Sequence, residues 1–232
     1  MQPDEITALF DQQAEHYDAH WAKTAAIREC LYLLVDSFLV SLPIDAHILC
    51  VGVGTGDELL HLAQKNPRWC FTAVEPSGAM LAKCRARVEQ AGISSRCEFY
   101  QGFLSEVPSV ARHDAATCFL VSQFILPRAE RTQFFHTIAD RLQPTGLLIS
   151  VDLAAEITSP EFDLLLRGWV SMTSGKITES GVARMRNTYT NHVGVLPPSE
   201  VSSLIAAGGF ENPLPFFQAG LMHGWLARRV EF

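Results

Sequence analysis

The sequence predicts an α/β protein in which a mostly parallel sheet carries helices on both faces. Three observations lead to this fold class. Short apolar runs of strand length recur between residues 48 and 151, helical patterns separate these runs, and no linker long enough to divide the chain into domains interrupts them. The 232 residues lie between one and two typical domain lengths. We therefore expect a single domain over 1–232.

The central part of the chain alternates strand and helix patterns. The predicted strands cover residues 48–51, 70–74, 97–100, 115–121 and 147–151. The first, second and fifth are almost continuously apolar, as strands covered on both faces are. Between them, apolar residues recur at helical spacing in three groups: Leu59, Leu60 and Ala63; Met80, Cys84 and Val88; Phe134, Ile138 and Leu142.

The flanking segments add further elements. They are helices over 5–18 and 24–41, a helix over 160–173, a polar stretch with weak signals over 174–198, a helix over 199–207, and strands over 210–217 and 221–228. Pro43 closes the second helix, and Ser199 is the expected N-cap of the last one. Gly208 then ends that helix.

Composition excludes several classes of protein. Hydrophobic residues make up 48% and charged residues 19%, which excludes a mostly disordered chain. The net charge of −7 gives no general basic footprint for nucleic acid. The apolar stretch over 30–42 is shorter than the roughly 20 residues of a membrane span. The start has no signal-peptide pattern, and the six cysteines form no C-x-x-C pair, so we expect no metal site and a cytoplasmic protein.

The strongest local signal is the sequence VGVGTGDE, which places Gly52, Gly54 and Gly56 between the first strand and its helix. Glycines there allow a sharp turn and close approach of the backbone to a ligand, which the helix N-terminus also favours. Asp57 stands where a dinucleotide fingerprint wants Gly or Ala. No Lys follows Gly56, as a Walker loop requires. The alternative is a tight turn without a ligand.

A carboxylate ends the second predicted strand. Glu75 follows Gly56 by nineteen residues, and Pro76-Ser77 opens the next helix. At that place in a βαβ unit a carboxylate can accept both hydroxyls of a ribose. Together with the glycine loop, Glu75 predicts an adenosine-like ligand, against the alternative of a surface residue at a strand end.

These motifs resemble those of a known family. Residues 51–56, 74–81 and 141–147 are similar to successive motifs of the class I S-adenosylmethionine-dependent methyltransferases. Residues 10–18 are similar to the segment that precedes the core in many small-molecule members. The resemblance covers about 10–153, with a weaker match over 207–210.

The resemblance implies a Rossmann-like, seven-stranded, mostly parallel sheet with a C-terminal antiparallel hairpin. It divides the domain into a helical N-terminal cap (1–45), a cofactor-binding core (46–153) and a substrate-side insertion with the hairpin (154–232). S-adenosyl-L-methionine is the implied cofactor. The residues implied to bind it are Gly52, Val53, Gly54, Thr55, Gly56, Glu75, Pro76, Ser77, Met80, Gly102, Phe103, Leu104, Val121 and Ser122.

Two positions depart from the family pattern. Cys50 stands where an acidic residue commonly precedes the glycine loop, which weakens an expected contact to the amino group of the cofactor. Phe103 stands where the family often has an Asp that contacts the adenine amine. Both departures bear on the strength of cofactor binding and neither bears on the fold.

Methyl transfer needs alignment of donor and acceptor more than it needs a base, so we assign no catalytic residue. His16, His20, His192 and His223 are candidates, with structural or solvent-facing roles as the alternative. The expected substrate contacts are Tyr17, Trp21, Gln123, Trp169, Arg184, Arg186 and Tyr189. Arg184 and Arg186 either recognise a carboxylate or phosphate, or form the solvated face of an exposed strand.

The function expected from the sequence is methyl transfer from S-adenosylmethionine to a small-molecule acceptor. The alternatives are modification of tRNA, a non-catalytic protein that binds an adenosine ligand, and a nicotinamide oxidoreductase, which Asp57 disfavours. A small-molecule substrate is the expected partner, nucleic acid and membrane are not, and a homodimer stays open. The N-terminal segment, with Phe10, Tyr17 and Trp21, is predicted to close the site, against the alternative that it is ordinary core.

Overall fold

A computed structural model describes residues 3–108, 113–174 and 177–231. The helices are α1 (Pro3–Gln13), α2 (Tyr17–Trp21), α3 (Ala25–Leu39), α4 (Asp57–Lys65), α5 (Gly78–Gln90), α6 (Arg128–Ala139), α7 (Phe162–Ser174), α8 (Glu179–Asn191) and α9 (Pro198–Ala207). The strands are β1 (His47–Val51), β2 (Cys70–Glu75), β3 (Cys97–Gln101), β4 (His113–Phe119), β5 (Leu142–Leu153), β6 (Phe210–Ala219) and β7 (Met222–Arg229).

The strands form one sheet in the order β3-β2-β1-β4-β5-β7-β6. The first five in this order pair in parallel, and β7 pairs antiparallel with both β5 and β6. The predicted fold class and the C-terminal antiparallel hairpin are therefore confirmed. From β1 the chain runs to β2 and β3 on one side, and β4 and β5 lie on the other. Such a reversal of strand order opens a crevice at the carboxyl ends of the strands, where ligands bind in α/β sheets.

Alternate residues of β1 show how both sheet faces are covered. Ile48 and Cys50 pack in the apolar cluster that includes residues of α3, α4, α5, α7 and α8. Leu49 and Val51 pack in the cluster that includes residues of α6 and α9. These four side chains are all buried, which is why the strand is continuously apolar and does not alternate with polar residues.

Two expectations about local structure were wrong. The stretch over 174–198 contains α8, so Arg184 and Arg186 lie on a helix and not on an exposed strand; residues 175 and 176 lie outside the described residues. Thr178 caps α8 by accepting a hydrogen bond from the Gly181 N–H at 3.1 Å. The last helix begins at Pro198 without a side-chain cap, so Ser199 is not its N-cap. Rigid φ makes proline well suited to that first position.

In the described parts of the chain, no helix combines the length and the apolar character that crossing a membrane requires.

Candidate functional site

The glycine loop turns sharply at the carboxyl end of β1. Gly52 and Val53 both donate backbone hydrogen bonds to the Val74 carbonyl of β2, at 2.8 and 3.1 Å. Gly52 and Gly54 have φ angles of +65° and +55°, which L-residues with a side chain rarely adopt. Apart from the two chain neighbours of Gly54, no atom of the described residues lies within 4 Å of where a Gly54 side chain would begin. The backbone at Gly54 therefore faces open space, which a ligand can enter.

The Glu75 carboxylate lies beside this loop and is 6% exposed. One oxygen accepts the Gly54 N–H at 3.0 Å, and the other accepts the Ser77 N–H at 2.9 Å. Burial raises the pKa of the Glu75 carboxyl above its ordinary value, and these two donors lower it in part. Each carboxylate oxygen keeps a lone pair for a further donor, so Glu75 can accept two ribose hydroxyls while it holds the loop.

A cavity of about 560 Å³ opens in front of Glu75. Of the residues predicted to bind the cofactor, nine line it: Gly52, Gly54, Glu75, Pro76, Met80, Gly102, Phe103, Leu104 and Val121. Phe10, Phe124 and Phe134 add aromatic walls. The cavity has the size of a small-molecule site and combines apolar walls with few polar groups, as such sites do. Its chemistry fits an adenosine group held at the ribose by Glu75.

A second cavity of about 130 Å³ lies on the other side of the glycine loop. It shares Tyr17, Gly52, Gly54, Phe119 and Leu120 with the larger cavity, so the two adjoin at the loop. Val53 and Thr55 line it, as does Trp21. The structure thus brings Tyr17 and Trp21, two of the predicted substrate contacts, to this end of the site. Gly56 lines neither cavity, because its Cα faces the Cys84 side chain of α5.

Glu58 lines the smaller cavity, and sequence reasoning missed it. It is the second residue of α4 and only 8% exposed. Burial raises the pKa of the Glu58 carboxyl to about 8, and the negative charges of Asp57 and Glu75 add to this effect. A pair of acidic residues at a helix N-terminus is expected from the helix dipole alone. Only the burial of Glu58 distinguishes it from Asp57, which is bound by Arg28 and Arg87.

The N-terminal helices cover the site. Asp11 of α1 accepts hydrogen bonds from the Ser77 hydroxyl and the Ala79 N–H, and Asp18 of α2 accepts one from the Thr55 hydroxyl at 2.7 Å. The Phe10 ring meets the Phe124 ring edge to face, 5.4 Å between centroids. Ser77 itself is fully buried and caps α5 through Met80, so its side chain is engaged by protein.

A buried ion pair fixes the loop that follows β4. Asp152 of β5 accepts the Ser122 hydroxyl at 2.7 Å and the Gln123 N–H at 3.0 Å. Arg131 of α6 lies 3.4 Å from the Asp152 carboxylate and donates to Ser122 at 2.9 Å. The Gln123 side chain accepts the Leu153 N–H at 2.6 Å. Ser122 and Gln123 are thus buried supports of the loop and line neither cavity, whereas Val121 lines the larger one.

The remaining predicted substrate contacts are not at the site. Trp169 and Tyr189 are buried against each other, with the Trp169 indole N–H donating to the Tyr189 hydroxyl at 2.7 Å. Arg186 is held by Asp163 at 2.7 Å, and Arg184 is exposed on α8. None of these four lines either cavity. Trp169 lies on α7, and the other three lie on α8, the helix that forms where the sequence signals were weak.

None of the four candidate histidines lines a cavity either. His16, His20 and His192 are exposed. His223 is half-buried on β7, where desolvation lowers its pKa and its ring stacks with Trp225, 6.0 Å between centroids. The geometry thus supplies no histidine base among the described lining residues.

Comparison with known proteins places this geometry among methyltransferases. A family model described as a methyltransferase domain matches residues 48–146. The carboxy-S-adenosyl-L-methionine synthase of Dichelobacter nodosus (strain VCS1703A) is 30% identical over 184 residues, which are 78% of this chain and 74% of that protein.

Solved structures give the same fold. A candidate O-methyltransferase of Nostoc punctiforme PCC 73102 superposes with a TM-score of 0.68 at 14% identity, covering 95% of this chain and 60% of that one. An O-methyltransferase family 2 protein of Planctomyces limnophilus DSM 3776, in complex with apigenin, gives a TM-score of 0.60 at 16% identity, covering 90% and 62%. The chain thus spans less than two thirds of the length of these two proteins, and the likeness at such identities concerns the fold.

Proposed function

The chain belongs to the class I S-adenosylmethionine-dependent methyltransferases, and from this premise we propose that it methylates a small, largely apolar molecule. The observation that carries the proposal is the larger cavity, with Glu75 at the glycine loop and aromatic walls beyond it. When bound, S-adenosylmethionine supplies an electrophilic methyl group on a sulfonium. The residues of this chain supply the alignment and the exclusion of water that such a displacement needs.

The charges around the two cavities support a small acceptor and disfavour nucleic acid. Among the described lining residues Arg28 is the one Lys or Arg, and Asp57 neutralises it at 3.0 Å. Nucleic acid binding needs several cations along the phosphate backbone. The larger cavity instead has acidic side chains, Glu75 and Glu130, among apolar residues. A neutral or cationic acceptor with apolar surface fits this lining.

The side chains that cover the site have positioning roles in this proposal. Phe10 and Tyr17 lie over the cavities, and Asp11 and Asp18 attach their helices to the core. Together they exclude water from the reacting atoms. No described lining residue is a histidine or a lysine, so a proton lost by the acceptor passes to a carboxylate or to water.

The curated relative provides a second candidate, the formation of carboxy-S-adenosylmethionine. The 30% identity over 184 residues favours it. The absence of Lys and Arg among the described residues of the larger cavity weighs against it, because a carboxylated ligand calls for a cation. Methyl transfer is therefore the function we place first.

Two measurements test the proposal. S-adenosylmethionine or S-adenosylhomocysteine should raise the melting temperature, because a ligand at one hundred times its Kd adds about 2.7 kcal/mol of stability. NAD should have no effect, and stabilisation by NAD alone would overturn the proposal. Mass spectrometry of S-adenosylmethionine incubated with the protein and a metabolite extract then separates the candidates. Methylated product with S-adenosylhomocysteine supports methyl transfer, and carboxy-S-adenosylmethionine supports the second candidate. Binding without either product identifies a non-catalytic protein.

A further inference from the structure

The smaller cavity contains a buried carboxylate without a cationic partner. Glu58 is more than nine-tenths buried and lines the cavity together with Tyr17, Trp21 and Tyr32. Its carboxylate accepts a hydrogen bond from its own backbone N–H. The nearby arginines are bound to other carboxylates: Arg28, which lines the cavity, to Asp57, and Arg87 to Asp57 and Asp18.

A buried carboxylate is costly unless a positive group or several donors compensate for it. An aromatic wall around such a carboxylate is a favourable setting for a cation. The cavity is therefore built for a ligand that brings a positive charge to Glu58.

We infer that Glu58 binds the α-ammonium group of the amino-acid end of S-adenosylmethionine, so that the counter-charge comes from α4. The inference rests on the proposed function. Two observations select this cation over an amine acceptor. The smaller cavity adjoins the larger one at Gly52 and Gly54, next to the Glu75 end, so one elongated ligand can reach both. It is also lined by Arg28, which Asp57 binds at 3.0 Å, so the cavity offers a cation near which the carboxylate of the same amino acid can lie, while Glu58 is left for the ammonium group.

The position of Glu58 accounts for the departure at Cys50. Cys50 is fully buried in the sheet, and burial raises the pKa of its thiol well above the ordinary value, so it offers no negative charge. Glu58 lies eight positions further along the chain and projects into the cavity from the helix that follows the loop. The charge expected before the glycine loop is thus supplied after it.

The test compares two ligands by calorimetric titration. S-adenosylhomocysteine carries the amino-acid group, and 5′-methylthioadenosine shares its adenosine and thioether but lacks that group. The wild-type protein should bind S-adenosylhomocysteine more tightly. Glu58→Gln should reduce this preference by about 10- to 100-fold, the effect of a lost charge-assisted hydrogen bond. The affinity for 5′-methylthioadenosine should not change.

Glu29→Gln is the matched control, because it removes a carboxylate from the exposed side of α3 and should leave both affinities unchanged. A Glu58→Gln protein with the wild-type ligand preference overturns the inference and leaves the proposed function intact; Glu58 then serves an amine acceptor or the fold. A wild-type protein that binds neither ligand overturns the proposed function itself. Thermal unfolding of both variants without ligand verifies that they fold.

Discussion

The carboxylate of Asp11 accepts a hydrogen bond from the Ser77 hydroxyl at 2.6 Å and a second from the Ala79 N–H at 3.0 Å. Asp11 lies on α1, and Ser77 precedes α5 directly after Pro76, which lines the larger cavity. These two donors lower the pKa of the Asp11 carboxyl below its ordinary value. Helix α1 is thus attached to the segment between β2 and α5, 66 residues further along the chain.

Substitution of Asp11 should loosen the N-terminal helices without unfolding the core. In Asp11→Ala, amide exchange in α1 should accelerate by up to about fivefold, since Asp11 itself is exposed and contacts of exposed carboxylates contribute little stability. Exchange in β1 and β4 should stay unchanged. Hydrogen exchange followed by mass spectrometry measures both, with Asp4→Ala as the control on the solvent side of the same helix.

The same experiment decides whether the N-terminal segment is a lid. A lid belongs to the less stable part of a structure, because it must open for product release. Wild-type exchange over residues 10–21 as slow as in the central strands, without cofactor, would show instead that the segment is core.

Gly52→Ala and Gly54→Ala should separate stability from binding. A side chain at Gly52 would overlap Val121 in addition to the cost of positive φ, so we expect a loss of about 2–4 kcal/mol of stability. Gly54 has open space before it and should lose only about 1–2 kcal/mol. Its new methyl group enters the cavity, however, and should weaken S-adenosylhomocysteine binding. Urea unfolding and calorimetry measure the two effects, and equal stability losses would contradict the contact with Val121.

Glu75→Gln should weaken the binding of both adenosine ligands to the same extent. The substitution replaces one charged acceptor at the ribose and presents an amide N–H to either the Gly54 or the Ser77 donor. We expect an affinity loss of about 10- to 100-fold for S-adenosylhomocysteine and 5′-methylthioadenosine alike. Glu98→Gln, exposed on β3, is the control. Unchanged dissociation constants would restrict Glu75 to a structural role in the loop.

Glu58→Gln should stabilise the ligand-free protein in alkaline solution. The folded-state pKa of Glu58, about 8, lies above the ordinary value of 4.5 for a glutamate carboxyl. The contribution of the Glu58 carboxyl to the free energy of unfolding is therefore fully present below about pH 4.5, and it is lost as the pH rises through 8. The charged groups facing it are Asp57 and Glu75, which raise this pKa, and Arg87, which lowers it; the Tyr17 and Tyr32 hydroxyls, whose pKa values burial raises, stay neutral.

Because Gln stays neutral, the gain in unfolding free energy over wild type should be small at pH 5 and grow to a few kcal/mol at pH 9. Urea unfolding at the two pH values measures it. A difference that does not depend on pH would show that Glu58 is charged throughout this range.

Arg131→Met should be more damaging than the double variant with Asp152→Asn. Arg131 and Asp152 are 1% and 0% exposed, so removing the arginine alone leaves a buried charge. Such a loss costs about 3–5 kcal/mol, whereas removal of both charges costs less. The double variant keeps an amide that can still accept from Ser122. Equal unfolding free energies for the two proteins would show that the ion pair does not fix the loop after β4.

Features whose signals are local could be predicted from the sequence. Runs of apolar residues predicted β1, β2 and β5, and the glycine spacing predicted the turn after β1. Glu75 was identified because the end of a predicted strand fixes where its side chain lies. These signals succeed because strand pairing and helix packing repeat over a few residues.

Which distant residues meet at the site depends on how the helices and strands pack, and the sequence patterns did not predict it. Asp57 and Glu58 are adjacent acids in the sequence, yet one is bound by arginines and the other is buried beside Tyr17. Trp169 and Tyr189 belong to a stretch where substrate contacts were expected, but they form a core hydrogen bond because α7 and α8 pack together. Burial depends on contacts between segments tens of residues apart, and no local pattern of residues encodes it.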